Sequence, residues 1–161
     1  VGYDNTCKPR YGALRSTFSS YKSEATGSDK RYSFSIAANP TADTVHVFES
    51  AIDLLSFATL QLYEGGDWKS MSMLSLAGVF APKRQGVVPV ALSRFLSENP
   101  QIKTLRLHLD NDEVGRAAAA GIVEDLKDYT VIDEPPDSGK DVNEQLQLKV
   151  GLMKRKEDRD R

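Results

Sequence analysis

The hydrophobic positions of this chain switch between two periods, and each switch marks where a strand ends. At 104–109, Leu105, Leu107 and Leu109 alternate with Arg106 and His108, the two-residue period of a strand that buries one face more deeply than the other. Directly after Asp110, Val114, Ala118, Ile122 and Leu126 recur every four residues, so the chain passes straight into an amphipathic helix. A similar switch occurs earlier. The run TVHVF at 44–48 is β-branched and aromatic and ends at Glu49; Ser50 then opens a helix with a broad apolar face of Ile52, Leu55, Phe57, Ala58 and Leu62, which Gly65-Gly66 stops.

The remaining segments fall into the same rhythm. A third apolar strand is expected at 73–76, closed by Ala77-Gly78. Lys83, Arg84 and Gly86 fall in the loop that follows. Pro89 suits the first turn of a helix carrying Leu92, Phe95 and Leu96, and Asn99-Pro100 ends that helix. A fourth strand is expected at 129–132, then a turn at 135–139 and a last helix from about Asp141. Upstream, Tyr32, Phe34 and Ile36 alternate with Arg31, Ser33 and Ser35, which predicts a strand antiparallel to something before it. Residues 1–30 are polar and rich in Ser, Thr, Lys and Gly, compatible with a loose strand pair or with partial disorder. The tail KRKEDRDR has no apolar period and is expected to fray.

Strands alternating with helices at this spacing imply an α/β fold, with a parallel sheet covered on both faces and right-handed crossovers. With 161 residues the chain suits one core of ordinary size and an appendage. The expected division is a β-rich extension at 1–42, the α/β domain at 43–150 and a charged tail at 151–161. In such sheets ligands bind beyond the carboxyl ends of the strands, where the strand order reverses. If four strands take the order 2-1-3-4, the strand before Glu49 neighbours the strand before Asp110. Glu49, Asp110 and Asp112 then meet.

Composition narrows the chemistry. Apolar residues at 40% and charged residues at 27% describe a globular protein rather than a disordered one. No apolar run approaches a membrane span and the first residues lack the regions of a signal peptide, so a cytoplasmic protein without membrane contact is expected. The single cysteine, Cys7, has no internal partner, and no Cys/His cluster offers zinc four ligands, so any metal must be held by oxygens. The net charge of -2 divides unevenly: residues 1–40 carry +3, residues 41–148 carry -8 and residues 149–161 carry +3. An acidic middle between basic ends suits a cation site with electrostatic arms for a polyanion. In Asp110-Asn111-Asp112, two carboxylates one residue apart at a strand end need partners if buried, and a hard cation is the economical one. The plainer alternative is that Asp112 caps the helix and Asp110 solvates the strand end.

Beyond these local arguments, the stretch from Val45 to Leu146 resembles the TOPRIM domain of topoisomerases, bacterial-type primases, small nucleases and recombination proteins. FESAIDLLS is similar to the glutamate motif of the primase branch, LSLAG to its second strand with a glycine (Gly78), LDNDEVGRAAA to its Asp-x-Asp-x-x-Gly motif with Gly115, and KDVNEQL to its closing Lys-Asp-x-Asn-Glu. The resemblance implies a Rossmann-like sheet in which Glu49 is the acid/base residue and Asp110 and Asp112 hold magnesium or manganese. Asp53 and Asp141 match positions that add to the acidic site in primases, and Asn143 stands where many relatives have an aspartate. Two of these positions keep a second explanation: Ser50-x-x-Asp53 is also a capping-box pattern, and Asp141-x-x-Glu144 equally suits the cap of the last helix. Arg116, Lys140, Lys83 and Arg84 are candidates to neutralise phosphates. His46 and His108 are expected to pack or to lie at the surface.

The function implied is a magnesium-dependent module acting on phosphodiester bonds of DNA or RNA, by primase-like nucleotidyl transfer or as a nuclease. Replication or mobilisation is the setting implied, since GSDKRYSF ahead of the glutamate motif resembles TOPRIM proteins of plasmids and conjugative elements, within a longer protein. The alternative is a metal-dependent nucleic-acid-binding module without catalysis of its own. A phosphoryl-accepting receiver domain fits less well, because it expects an acidic pair after its first strand and a lone aspartate after its third.

Overall fold

The computed structural model describes residues 1–19, 21–38, 41–79 and 87–153. Its centre is a sheet of three long-range parallel pairings. Strand β6 (Thr44–Phe48) lies between β7 (Ser72–Ser75) and β8 (Thr104–His108), and β9 (Thr130–Asp133) pairs with β8. The four parallel strands therefore take the order 2-1-3-4, the order assumed for the sequence. A fifth strand, β5 (Ser35–Ile36), adds to the β7 edge in antiparallel fashion.

That fifth strand corrects the expectation for residues 31–36. Lys30–Tyr32 is one turn of 3-10 helix capped by the Asp29 carboxylate, and only the last two residues are extended. Tyr32 carries the guanidinium of Arg94 over its ring at 4.0 Å, which holds this turn against α2 (Val90–Glu98). The partner of β5 follows it in the chain rather than preceding it. Ahead of it, β1 (Gly2–Tyr3) pairs with β2 (Pro9–Tyr11), and β3 (Ala13–Arg15) pairs with β4 (Lys22–Glu24). The polar first 30 residues thus form two small antiparallel ladders.

Helices cover both faces of the sheet. On one face Val45, Val47, Leu105, Leu107 and Leu109 pack against α2 and α3 (Glu113–Asp125) through Leu92, Phe95, Leu96, Ala118 and Ile122. On the other, Phe48 and Met73 pack against α1 (Ala51–Tyr63) and α4 (Val142–Lys149) through Leu54, Ala58, Leu60 and Val142. Two helix faces differ from the expected ones. In α1, Ile52, Leu55 and Leu62 are exposed while Asp53, Leu54, Ser56, Ala58 and Leu60 are buried; apolar residues run nearly all round this helix, so periodicity does not choose the face. In α3 the buried stripe is Gly115, Ala118, Ala119 and Ile122, with Val114 exposed, because Gly115 presses directly on the loop before the helix. Pro89 stands just before α2 as its cap rather than inside its first turn. Among the described residues, no helix is long and apolar enough to cross a membrane.

Between β6, β8 and α1 lies an aromatic cluster of His46, Phe48, Phe57 and His108. His108 Nδ1 is 3.1 Å from the Glu134 carbonyl, which can only accept, so His108 Nε2 is left to accept from His46 Nδ1 at 2.9 Å. Both histidines are packing residues. Burial pushes His46 down to about 4 and His108 down to about 3, so the folded state holds both rings neutral where the unfolded chain, with a pKa near 6.5, takes up protons. The pair therefore withdraws stability as pH falls from about 6.5 toward 4. In a proton NMR titration, neither imidazole is expected to show a midpoint above pH 5; a midpoint near 6.5 for either would show it to be solvated.

Candidate functional site

The site is assembled where β6 and β8 end side by side. Glu49 follows the last residue of β6, and Asp110 lies two residues beyond β8, whose partner in register with Phe48 is His108. Glu49 is fixed by its backbone, since the Gly78 N–H donates to the Glu49 carbonyl at 2.9 Å. Gly78 does so from a left-handed conformation, φ +92°, that favours glycine. The loop after β8 is held from three sides. The Arg116 guanidinium donates to the carbonyls of Leu109 (2.8 Å) and Asp110 (3.2 Å) and grips both oxygens of Asp133 at 2.7 and 2.6 Å. The Asn111 N–H donates to the Lys140 carbonyl at 2.7 Å. Gly115 lets α3 close onto the loop, because a Cβ there would stand 2.1 Å from the Asp110 carbonyl oxygen.

Two acidic residues near the site also cap helices, and a third braces two of them together. Asp112 Oδ1 accepts from the Gly115 N–H at 2.9 Å and caps α3. Asp141 Oδ1 accepts from the Glu144 N–H at 2.7 Å, while Glu144 Oε2 takes the Lys140 N–H at 2.8 Å, a complete cap one residue early. Asp53, buried in α1, takes the Ser50 hydroxyl on one oxygen and the Asn143 N–H on the other, the latter at 3.3 Å. Asp53 thereby ties α1 to α4, and both capping explanations raised by the sequence hold in the structure.

Electrostatics binds these groups into one unit. Glu49 is pushed up to about 7, first by burial and then by the carboxylates of Asp110, Asp112 and Asp53, with Lys140 offsetting part of the effect. Burial also raises Asp110 and Asp53 above the ordinary carboxylate range. Asp112 is lowered by the Gly115 N–H and by Lys140. The Lys140 ammonium sits 3.2 Å from Asp110 Oδ2 and 3.2 Å from Asp112 Oδ2, and these two contacts raise its own pKa. Among the described residues no three His, Cys, Asp or Glu side chains are disposed around one point as they stand. The positive charge that the Asp pair requires is supplied by Lys140. The donor set nevertheless fits a hard divalent cation: every donor is a carboxylate oxygen, neighbouring carboxylates raise the proton affinity of Glu49 and Asp110, and two or three such ligands suffice for a small divalent ion.

The structure thus brings Glu49, Asp110, Asp112 and Lys140 together and spends Asp53, Asp141 and Arg116 on bracing them. Lys83 and Arg84 lie outside the described residues. Sequence reasoning missed the Arg116–Asp133 clamp, which no short-range pattern encodes, and the wall that the extension builds against Glu49. A groove of about 380 Å³ runs between the β3–β4 hairpin and the end of β6, lined by Tyr11, Arg15, Lys22, Phe34, Glu49 and Ser50 among others.

Comparison with known proteins agrees with this fold. A family model described as Toprim-like matches residues 46–146. Among solved structures, the chain is similar to the primase fragment of the bacteriophage T7 primase-helicase protein, with a TM-score of 0.58 and 15% identity over 93% of this chain. The chain spans about half of that fragment, 55% of its length. No curated protein sequence matches it.

Proposed function

The chain belongs to the Toprim-like family, and from that premise we propose that it is a magnesium- or manganese-dependent module that acts on nucleic-acid phosphodiester bonds. The chemistry is primase-like nucleotidyl transfer or strand cleavage, within a longer replication or mobilisation protein. The observation that carries the reading is that Glu49, Asp110 and Asp112 stand at the ends of two neighbouring parallel strands, near enough for the aspartates to raise Glu49, with one ammonium bridging the two aspartates.

Asp110 and Asp112 hold the cation, and Asp53 and Asp141 add negative charge around it, while Asp141 caps α4 and Asp53 ties α1 to α4. A bound divalent ion offsets the charge that develops on phosphoryl oxygens. Glu49 takes a proton from an attacking hydroxyl or water, or returns one to a leaving oxygen. The groove beside Glu49 gives a strand its course: Arg15 and Lys22 on the hairpin offer cations to phosphates, and Tyr11 and Phe34 offer apolar surface.

The test is an assay of oligonucleotide binding, cleavage and primer synthesis with manganese at rising salt. Binding is expected to weaken as salt rises, and cleavage or synthesis to require the metal. Should the full-length protein bind nucleic acid yet neither cleave nor extend any strand type, a binding module without catalysis of its own would replace the enzyme reading.

A further inference from the structure

We propose that Lys140 is a displaceable counter-ion, which a divalent cation drives off Asp110 and Asp112 and which then pairs with a nucleic-acid phosphate, so that metal and strand bind cooperatively. This rests on the metal-site reading above.

The geometry separates the ammonium from its backbone. The main chain of Lys140 is bolted down on both sides, its carbonyl accepting from the Asn111 N–H and its N–H donating to Glu144 Oε2. Gly139, at φ +83°, sets the turn, and a Cβ there would stand 2.8 Å from the Glu144 Cβ. Among the described residues the side chain is held at its tip, by the two carboxylate contacts, and it is about half exposed at 52%. A lysine stem has four rotatable carbons and a compact charge, so its tip can swing while its base stays fixed.

The two oxygens it touches belong to the pair expected to hold the cation. An ammonium and a divalent ion compete for Asp110 Oδ2 and Asp112 Oδ2, and two positive centres a few ångströms apart repel. Metal binding therefore proceeds against Lys140, which lowers the intrinsic affinity of the site. Once displaced, the ammonium needs a new anion. A phosphate brought to the metal supplies one, and Arg116, the other cation at the loop, is committed to Asp133 and to the Leu109 and Asp110 carbonyls. Each ligand then favours the other, and by linkage the coupling is reciprocal.

The experiment is manganese calorimetry on the wild type and on Lys140→Met, Lys140→Gln and Asp110→Asn, followed by the affinity of single-stranded oligothymidylate with and without manganese. Lys140→Met is expected to bind manganese roughly 3- to 30-fold more tightly in the absence of DNA, as a partly exposed ion pair of this kind would allow. The factor by which manganese strengthens DNA binding is expected to fall several-fold. Lys140→Gln should follow Lys140→Met, which keeps the comparison intact if one variant folds poorly. Unchanged or weaker manganese binding in both variants overturns the proposal. Tighter manganese binding with an unaltered coupling factor also overturns it, since Lys140 would then be a fixed positive neighbour. If the wild type binds no manganese, or Asp110→Asn binds it equally well, the metal-site reading falls and takes this inference with it.

Discussion

Replacing Glu49 by Gln is expected to lower turnover by about 10²-fold or more at saturating metal while metal and nucleic acid remain bound. The amide keeps the shape and hydrogen bonding of the carboxylate but cannot carry a proton between substrate oxygens. The position is suited to that task, because burial and the neighbouring aspartates push Glu49 up to about 7, whereas an ordinary carboxylate is fully ionised there. Asp110→Asn should instead weaken the metal itself. If excess manganese restores the Glu49→Gln variant, Glu49 acts as a ligand and the acid/base role is lost. The same carboxylate gives the metal-free protein a pH dependence opposite in sign to that of the histidine pair. Its folded pKa lies above its unfolded one, so the stability it contributes is present at low pH and lost as pH rises through about 7. A bound cation removes that loss.

Gly115→Ala is expected to cost about 1–3 kcal/mol of stability or more, and to weaken metal binding with it. The added Cβ would meet the Asp110 carbonyl oxygen at 2.1 Å, its carbonyl carbon at 2.9 Å and its nitrogen at 3.1 Å. All three are backbone atoms that cannot swing aside. Either α3 lifts away from the strand end or Asp110 moves, and both disturb the hydrogen bonds from Arg116 to the Leu109 and Asp110 carbonyls. At roughly 2–4 °C per kcal/mol for a domain of this size, thermal melting resolves the loss. A variant that melts and binds manganese like the wild type would show that the helix start is loosely seated.

Why some features were legible and others were not follows from the range of the interactions. The strand ends and the caps at Ser50, Asp112 and Asp141 are encoded by short-range pattern, and the alternation of element types implies a parallel sheet, but the neighbouring of β6 and β8 rests on long-range pairing that the pattern leaves open. The resemblance over 45–146 added expected roles to those positions, and the Toprim-like match covers 46–146. The buried face of α1 was not legible, because Leu54 and Leu60 compete with Leu55 and Leu62 for it. Burial of polar Asp53 becomes favourable only once Asn143, 90 residues away, adds its donor to that of neighbouring Ser50. Arg116 read as a free cation for the same reason. Its partner Asp133 is 17 residues away, on β9, and only the pairing of β9 with β8 brings the two together.

The claim on which the rest depends is that Glu49, Asp110 and Asp112 form a divalent-cation site, and thermal melting against added magnesium or manganese tests it most directly. An ion bound by the folded state alone raises the melting temperature in proportion to the logarithm of its concentration above Kd. The expected result is a rise that continues through millimolar metal in the wild type and is lost in Asp110→Asn. A folded wild-type protein whose melting ignores millimolar magnesium and manganese, or an Asp110→Asn variant that rises equally, would contradict the site.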